Sequence, residues 1–446
     1  MSDTLHGLIA RHGAAKREIS TQAHTLRLND FATHSPFGEE RQLFAGRSVV
    51  LAVHDMAKAA AALIDLDGLA ARIFLVPPGF APDHLAHAAE LLEADALIYE
   101  GEAPFETKLA AQVEFPMRPR AADDAPLCVT EWVLPTSGTS GPPKLAIHTL
   151  QTLAGALGST PHQEWATFYD IRRYGGLQIF LRALAGSGSL RVAGPDEPTD
   201  LFLGRLAAFH VTHMSGTPTH WRKALISGAA ARISPQYVRL SGEIADDAAL
   251  SGLAAAFPRA RVEHAYASTE AGVVFVVADG RAGFPSEWLQ RKGEVEMRLE
   301  GGGLQVRSAR RALRLLGAEG PMVDEDGFLD TGDMVETRGA RCHFLGRRGG
   351  VINVGGAKVH PEEVEAVLNA LPGVRVSRVF ARANPIMGAL VVAEIVLDEP
   401  GDACRERSQE ILIQARAKLP KHMAPARLSF VSELPMTAAG KLRRHG

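Results

Sequence analysis

The stretch Leu134-Pro-Thr-Ser-Gly-Thr-Ser-Gly-Pro-Pro-Lys144 follows an apolar run and gathers hydroxyls, glycines and a terminal lysine. Thr136, Ser137, Thr139 and Ser140 offer hydroxyl donors, Gly138 and Gly141 let backbone N–H groups approach an anion, and Lys144 adds positive charge. Together they have the chemistry of a phosphate cradle. It is not a Walker loop, because no Gly-Lys-Ser/Thr follows the required gap. The same composition also describes a flexible linker, so the stretch alone does not decide between the two. Other catalytic signatures are absent: there is no His-Glu-x-x-His, no Gly-x-Ser-x-Gly and no Gly-x-Gly-x-x-Gly, and His210 and His213 read as buried or surface histidines rather than ligands.

Thr136 to Lys144 resembles the phosphate-binding loop of the adenylate-forming superfamily, which comprises acyl-CoA synthetases, nonribosomal-peptide adenylation domains and firefly luciferase. Further elements of that family follow in its order. His264-Ala-Tyr-Ala-Ser-Thr-Glu270 resembles its Tyr-Gly-x-Thr-Glu element. The resemblance implies that Tyr266 flanks adenine, Thr269 meets the α-phosphate and Glu270 helps hold Mg2+. An aromatic face suits a purine and a carboxylate suits a hard cation. Two positions depart from the family: Ala267 replaces the usual glycine, and His264 stands where Asn or Asp contacts the adenine amino group. Asp330-Thr-Gly-Asp333 resembles the element whose final aspartate, here Asp333, accepts from both ribose hydroxyls; taken blindly it is a hairpin turn. Ser241-Gly-Glu243 resembles the wall between the acyl and adenine pockets.

Gly346-Arg-Arg-Gly-Gly-Val-Ile-Asn-Val-Gly-Gly356 resembles the family's hinge, in which Arg347 reaches the nucleotide and Gly349 is the swivel. Glycine there keeps mobility and forfeits the charged side chain of many relatives. Gly355, Gly356 and Pro361-Glu-Glu363 resemble the face that meets a pantetheine thiol. Pro435-Met-Thr-Ala-Ala-Gly-Lys441 resembles the C-terminal signature, with Lys441 as the adenylation lysine. Phe168 to Gly176 lies where the acyl-pocket segment belongs but does not match its usual form, so the acid stays open. The resemblance thus implies ATP, Mg2+, a small carboxylic acid and, as acceptor, CoA or the phosphopantetheine of an acyl carrier protein. Three readings follow: a free-standing acid–CoA ligase, a ligase that loads a carrier protein, and a non-catalytic nucleotide-binding homologue.

The elements that must position these residues are legible as patterns. Apolar runs at Ser48–Val53, Arg72–Val76 and Ala96–Tyr99 alternate with helical stretches at Met56–Leu66 and His84–Leu92. Runs too continuous for half-exposed strands, joined by helical crossovers, predict a parallel sheet covered on both faces. The alternation resumes with strands at Leu190–Val192, Val238–Leu240 and Arg261–His264. From Glu294 to Val306 a two-residue rhythm predicts antiparallel strands closing this unit. The expected fold is therefore α/β: a large N-terminal domain over residues 1–345 and a small α+β cap over residues 346–446.

Bulk properties narrow the function further. The 446 residues carry a net charge of −3, which leaves no global basic field for nucleic acid or an anionic membrane. No apolar stretch is long enough to span a bilayer or act as a leader. The three cysteines, Cys128, Cys342 and Cys404, are widely spaced and odd in number, which predicts a reducing, cytoplasmic setting with no disulfide framework.

Overall fold

The computed structural model describes residues 4–13, 16–120, 126–136, 142–155, 162–194, 197–384, 387–398, 405–436 and 442. Two large sheets sandwich buried helices. The first has eight strands in the order Gly272–Val277, Arg261–Ser268, Tyr237–Ser241, His213–Gly216, Trp165–Thr167, Leu190–Val192, Glu18–Ser20 and Thr25–Arg27. Its inner pairs are parallel and its two edge pairs antiparallel. The second has seven strands, centred on Ser48–Ala52 with Arg72–Leu75 and Ala96–Tyr99 on either side, and Glu131–Pro135 beyond Arg72–Leu75.

The predicted helix Met56–Leu66 lies between these sheets. Asp55 caps it by accepting from the N–H groups of Ala57 and Lys58. Its alanines at 57, 59, 60, 61 and 62 are fully buried, and their small side chains let both sheets approach it closely. Helix Tyr174–Ala185 joins the same core. Helices Thr199–Leu206, Pro218–Ile226 and Asp247–Ala256 cover the far face of the first sheet, and Pro82–Leu91 covers that of the second.

The two-residue rhythm resolves into the hairpin Val295–Glu300/Gly303–Ser308, part of a five-stranded sheet with Leu329–Arg338, Arg341–Arg347 and Phe284–Pro285. A fourth sheet contains Ile352–Val354, Ala357–Val359, Val374–Asn384, Gly388–Leu397 and Arg427–Phe430. With helices Pro361–Asn369 and Arg405–Lys418 it encloses a separate core from Ile352 to Leu428. No helix among the described residues is long and apolar enough to cross a membrane.

Candidate functional site

The phosphate-cradle segment is the connection of a hairpin. Glu131–Pro135 and Leu145–His148 run antiparallel with Pro135 opposite Leu145, and the Thr136 N–H donates to the Lys144 carbonyl at 2.8 Å. Thr136 is buried at this base while Lys144 is exposed and has no ion-pair partner among the described residues. Ser137, Gly138, Thr139, Ser140 and Gly141 lie outside the described residues.

The strand that leaves the cradle ends in a residue the sequence reading passed over. His148 is fully buried; its Nε2–H donates to the Thr269 carbonyl at 2.7 Å, and its Nδ1 accepts from the Thr152 hydroxyl at 2.9 Å. A carbonyl only accepts, so the Nε2–H tautomer follows from this geometry. Burial pushes the His148 pKa down to about 4, which keeps the ring neutral near pH 7. One strand thus ties the cradle to the turn that carries Thr269 and Glu270.

That turn joins Arg261–Ser268 to Gly272–Val277. The Ser268 hydroxyl accepts from the Ala271 N–H at 2.9 Å, and the Glu270 carbonyl accepts from the Ala312 N–H at 2.8 Å. Gly272 closes it at φ +79°, where a Cβ would meet the Arg310 carbonyl at 2.5 Å. The Glu270 side chain enters no ion pair among the described residues. Among the described residues, no three His, Cys, Asp or Glu side chains converge there as a metal cage. Magnesium is usually held by one or two carboxylates together with substrate phosphates, a requirement that a single carboxylate such as Glu270 can meet.

Across the turn lies an aromatic platform. Tyr266 stacks on Phe344 at 4.8 Å and on Phe275 at 5.4 Å. Phe275 and Phe344 are 6.3 Å apart, so the three rings form one cluster and do not sandwich Tyr266. The Tyr266 hydroxyl donates to Asp333 Oδ2. Burial, reinforced by that carboxylate, pushes the phenol well above its usual range and keeps it a donor. Asp333 Oδ1 pairs with Arg347 Nε at 2.8 Å, and Arg347 Nη1 donates to the Thr331 carbonyl at 3.0 Å. Asp330–Asp333 is therefore not a hairpin turn: it runs inside strand Leu329–Arg338, with Gly332 at φ +72°.

His264 is buried on the same strand as Tyr266, its Nε2 hydrogen-bonded to the Arg281 carbonyl at 3.0 Å. Desolvation lowers its pKa. In that tautomer Nδ1 is an acceptor, the role an Asn carbonyl would play toward an amino group.

The cap meets this face at several points. Gly346 passes so close to helix Pro361–Asn369 that a Cβ there would meet Glu362 Oε2 at 2.3 Å. Arg338 pairs with Glu363 at 2.7 Å. Gly349 sits in the short 3-10 turn Arg348–Gly350. Gly355 and Gly356, at φ +59° and +90°, form the exposed tip of the hairpin Ile352–Val354/Ala357–Val359, a two-residue turn that needs positive φ at both positions. Lys441 lies outside the described residues. Its neighbour Leu442 bridges to Met436 and donates its N–H to Glu243 Oε1 at 3.3 Å, while Glu243 Oε2 accepts from the Thr219 N–H at 3.0 Å. Glu243, read from sequence only as a pocket wall, therefore also joins the C-terminal segment to the N-terminus of helix Pro218–Ile226.

Residues 40–299 match the AMP-binding enzyme family and residues 363–441 its C-terminal domain. The chain belongs to the AMP-binding enzyme family. It is similar to 2-succinylbenzoate–CoA ligase of Salmonella typhimurium, with 27% identity covering 94% of this chain and 93% of that protein. It is also similar to isonitrile lipopeptide synthase of Streptomyces coeruleorubidus, with 29% identity over 70% of this chain. The chain spans only 21–23% of the length of that synthase and of three further curated relatives. In fold it resembles an anthranilate CoA ligase in complex with anthranoyl-AMP, at TM-score 0.81 and 17% identity over 99% of this chain and 95% of that one.

Proposed function

We propose that this AMP-binding enzyme joins a carboxylic acid to the α-phosphate of ATP, releases pyrophosphate, and passes the acyl group to a thiol, with CoA as the acceptor. The observation that supports the reading is the strand Leu145–His148, which pairs with Glu131–Pro135 across the Thr136–Lys144 connection and holds the Thr269–Glu270 turn at its other end. A carboxylate has no good leaving group; phosphoanhydride chemistry supplies AMP.

In this reading the loop Ser137–Gly141 with Lys144 holds the departing phosphates, Thr269 meets the α-phosphate, and Lys441 neutralises charge between the carboxylate and that phosphate. This is positioning and charge stabilisation rather than covalent catalysis. Tyr266 stacks on the purine, His264 Nδ1 accepts from its amino group, and Asp333 takes the ribose hydroxyls. Bound magnesium would offset phosphate charge, with Glu270 as its protein ligand. The unit 1–345 carries the first half-reaction. The cap, 346–446, turns about Gly349 to present Gly355 and Gly356 to the thiol in a cytoplasmic enzyme. Relatives named for CoA and for carrier-protein acceptors support both thiol classes, so loading of a carrier protein is the second reading.

Pyrophosphate release, measured over short, aromatic and long-chain acids with CoA, with a holo-carrier protein or with neither, tests the proposal. Acid-dependent release followed by AMP discharge on CoA is expected. Discharge on the carrier alone would favour the second reading, and no release with any acid would leave a nucleotide-binding homologue.

A further inference from the structure

Thr167, Ser215, Arg239 and Glu263 are register partners across four adjacent strands of the first sheet. Side chains one register apart in this way share a face. All four are buried, and the Ser215 hydroxyl donates to that of Thr167 at 2.9 Å. This polar row faces the core shared with helix Tyr174–Ala185, where an apolar row would be ordinary. Ser241, whose carbonyl accepts from the Tyr169 hydroxyl at 2.8 Å, is two residues further along the strand of Arg239. The row therefore lies about 7 Å beneath the end of the sheet at which the nucleotide elements gather.

Helix Tyr174–Ala185 lowers a second guanidinium toward the row. Tyr174, Gln178 and Arg182 share one helical face by their four-residue spacing. Gln178 donates to the Leu153 carbonyl at 2.6 Å, which fixes the direction of that face. Arg310 packs beside it against Gly155.

The charges do not balance. The half-buried Arg182 side chain has no hydrogen bond and no ion pair among the described residues, and its Nε is sealed from solvent. Among the described residues, Arg239 donates from its side chain only to the Tyr237 hydroxyl, at 3.3 Å. Glu263, the carboxylate facing Arg182, is engaged by the Tyr237 hydroxyl at 2.6 Å and by the Arg261 guanidinium. Among the described residues, Arg310 pairs only with the exposed Glu294, at 3.7 Å. Burial, with Arg239 and Arg310 adding to it, lowers the Arg182 pKa. A guanidinium cannot shed its proton to relieve such a site. Cations buried without a counter-charge are costly, and an anionic ligand is what offsets that cost.

We infer that the acid substrate carries a second anionic group, as a dicarboxylic acid does, and that Arg182 and Arg239 hold it beneath the reacting end. This rests on the adenylation reading and names the substrate class of the same site. Calorimetry without nucleotide compares glutaric, adipic, pimelic and phthalic acids with valeric, hexanoic, heptanoic and benzoic acids on the intact protein. The diacids should bind in preference by roughly tenfold or more, the scale of one charged hydrogen bond. That ratio should collapse toward unity in Arg239→Gln and Arg182→Gln, and Arg182→Lys should restore part of it. The unliganded melting temperature should rise in Arg182→Gln, since an uncompensated cation is gone; a purely structural arginine would lower it. Equal binding of diacids and monoacids by the wild type, or a ratio unmoved by both variants, overturns the inference. Diacid binding without acid-dependent pyrophosphate release sinks the adenylation reading and leaves the anion site standing. Release driven equally by monoacids in all forms does the reverse.

Discussion

The Asp333 carboxylate accepts from Tyr266 and Arg347, so it braces the strands that carry both; the proposed function gives it the ribose hydroxyls as well. Asp333→Ala should weaken ATP binding by about 1.5–3 kcal/mol for each charged hydrogen bond lost. Calorimetry checks this, and an unchanged affinity would reduce Asp333 to a strand residue. His148 gives a prediction in pH. Its folded pKa, about 4, lies below the ordinary 6.5, so on acidification the unfolded chain takes up the proton first. Its contribution to stability is full above pH 6.5 and is lost as pH falls toward 4, by on the order of 3 kcal/mol. His213 and His220, lowered to about 4 and about 3, act in the same direction, whereas buried Asp67, raised to about 6, opposes them. The urea stability of His148→Gln minus that of the wild type isolates the effect and should become less negative as pH falls from 6.5 toward 4, because only the wild type loses this contribution; parallel pH curves would contradict it. Asp333 and Tyr266 stand out in the sequence because their neighbours form recognisable runs, and the structure brings the two side chains together. His148 was not, because its acceptor is a main-chain carbonyl 121 residues away and no spacing rule encodes that.

At the scale of elements, the Glu270 turn depends on a glycine that carries no chemistry. Gly272→Ala meets both an unfavourable φ and the Arg310 carbonyl. Gly301→Ala, at φ +56° with nothing within 4 Å, meets only the first. The turn variant should therefore lose more than the roughly 1–2 kcal/mol of left-handed strain expected for the control, and should also lose magnesium-dependent pyrophosphate exchange. Equal losses in urea titrations would show that the turn can relax. Helix Met56–Leu66 and the strands beside it were readable because strands covered on both faces become unbroken apolar runs. Trp165–Thr167 and His213–Gly216 escaped notice for the opposite reason. Thr167 and Ser215 turn hydroxyls inward, and that polar row conceals the strand pattern.

For the molecule as a whole, the cap contacts at Glu243, Glu363 and Gly346 describe one orientation of two units. Gly349→Pro fixes φ near −65° and removes an N–H, so it should separate the half-reactions by trapping one orientation. Pyrophosphate exchange and thioester formation from isolated acyl-AMP, measured side by side, should diverge; equal near-normal rates would exclude rotation there. Lys441→Ala should abolish acyl-AMP formation while largely sparing transfer from preformed acyl-AMP, and normal exchange in that variant would remove Lys441 from its role. The sequence names Gly349 as the expected swivel but not the orientation, because a contact such as that of Leu442 with Glu243 joins residues 199 positions apart. The far edge of the first sheet has a consequence in time. Arg17 donates to the carbonyls of Ala183, Leu184 and Gly188, and Glu18–Ser20 pairs with Leu190–Val192. These partners are separated by up to 171 residues. At the ribosome's roughly 5–20 residues per second, the early segment waits about ten to thirty seconds for them. The sheet therefore cannot close in the order in which it is made, and its first strands are the part of the nascent chain that a holding chaperone would meet.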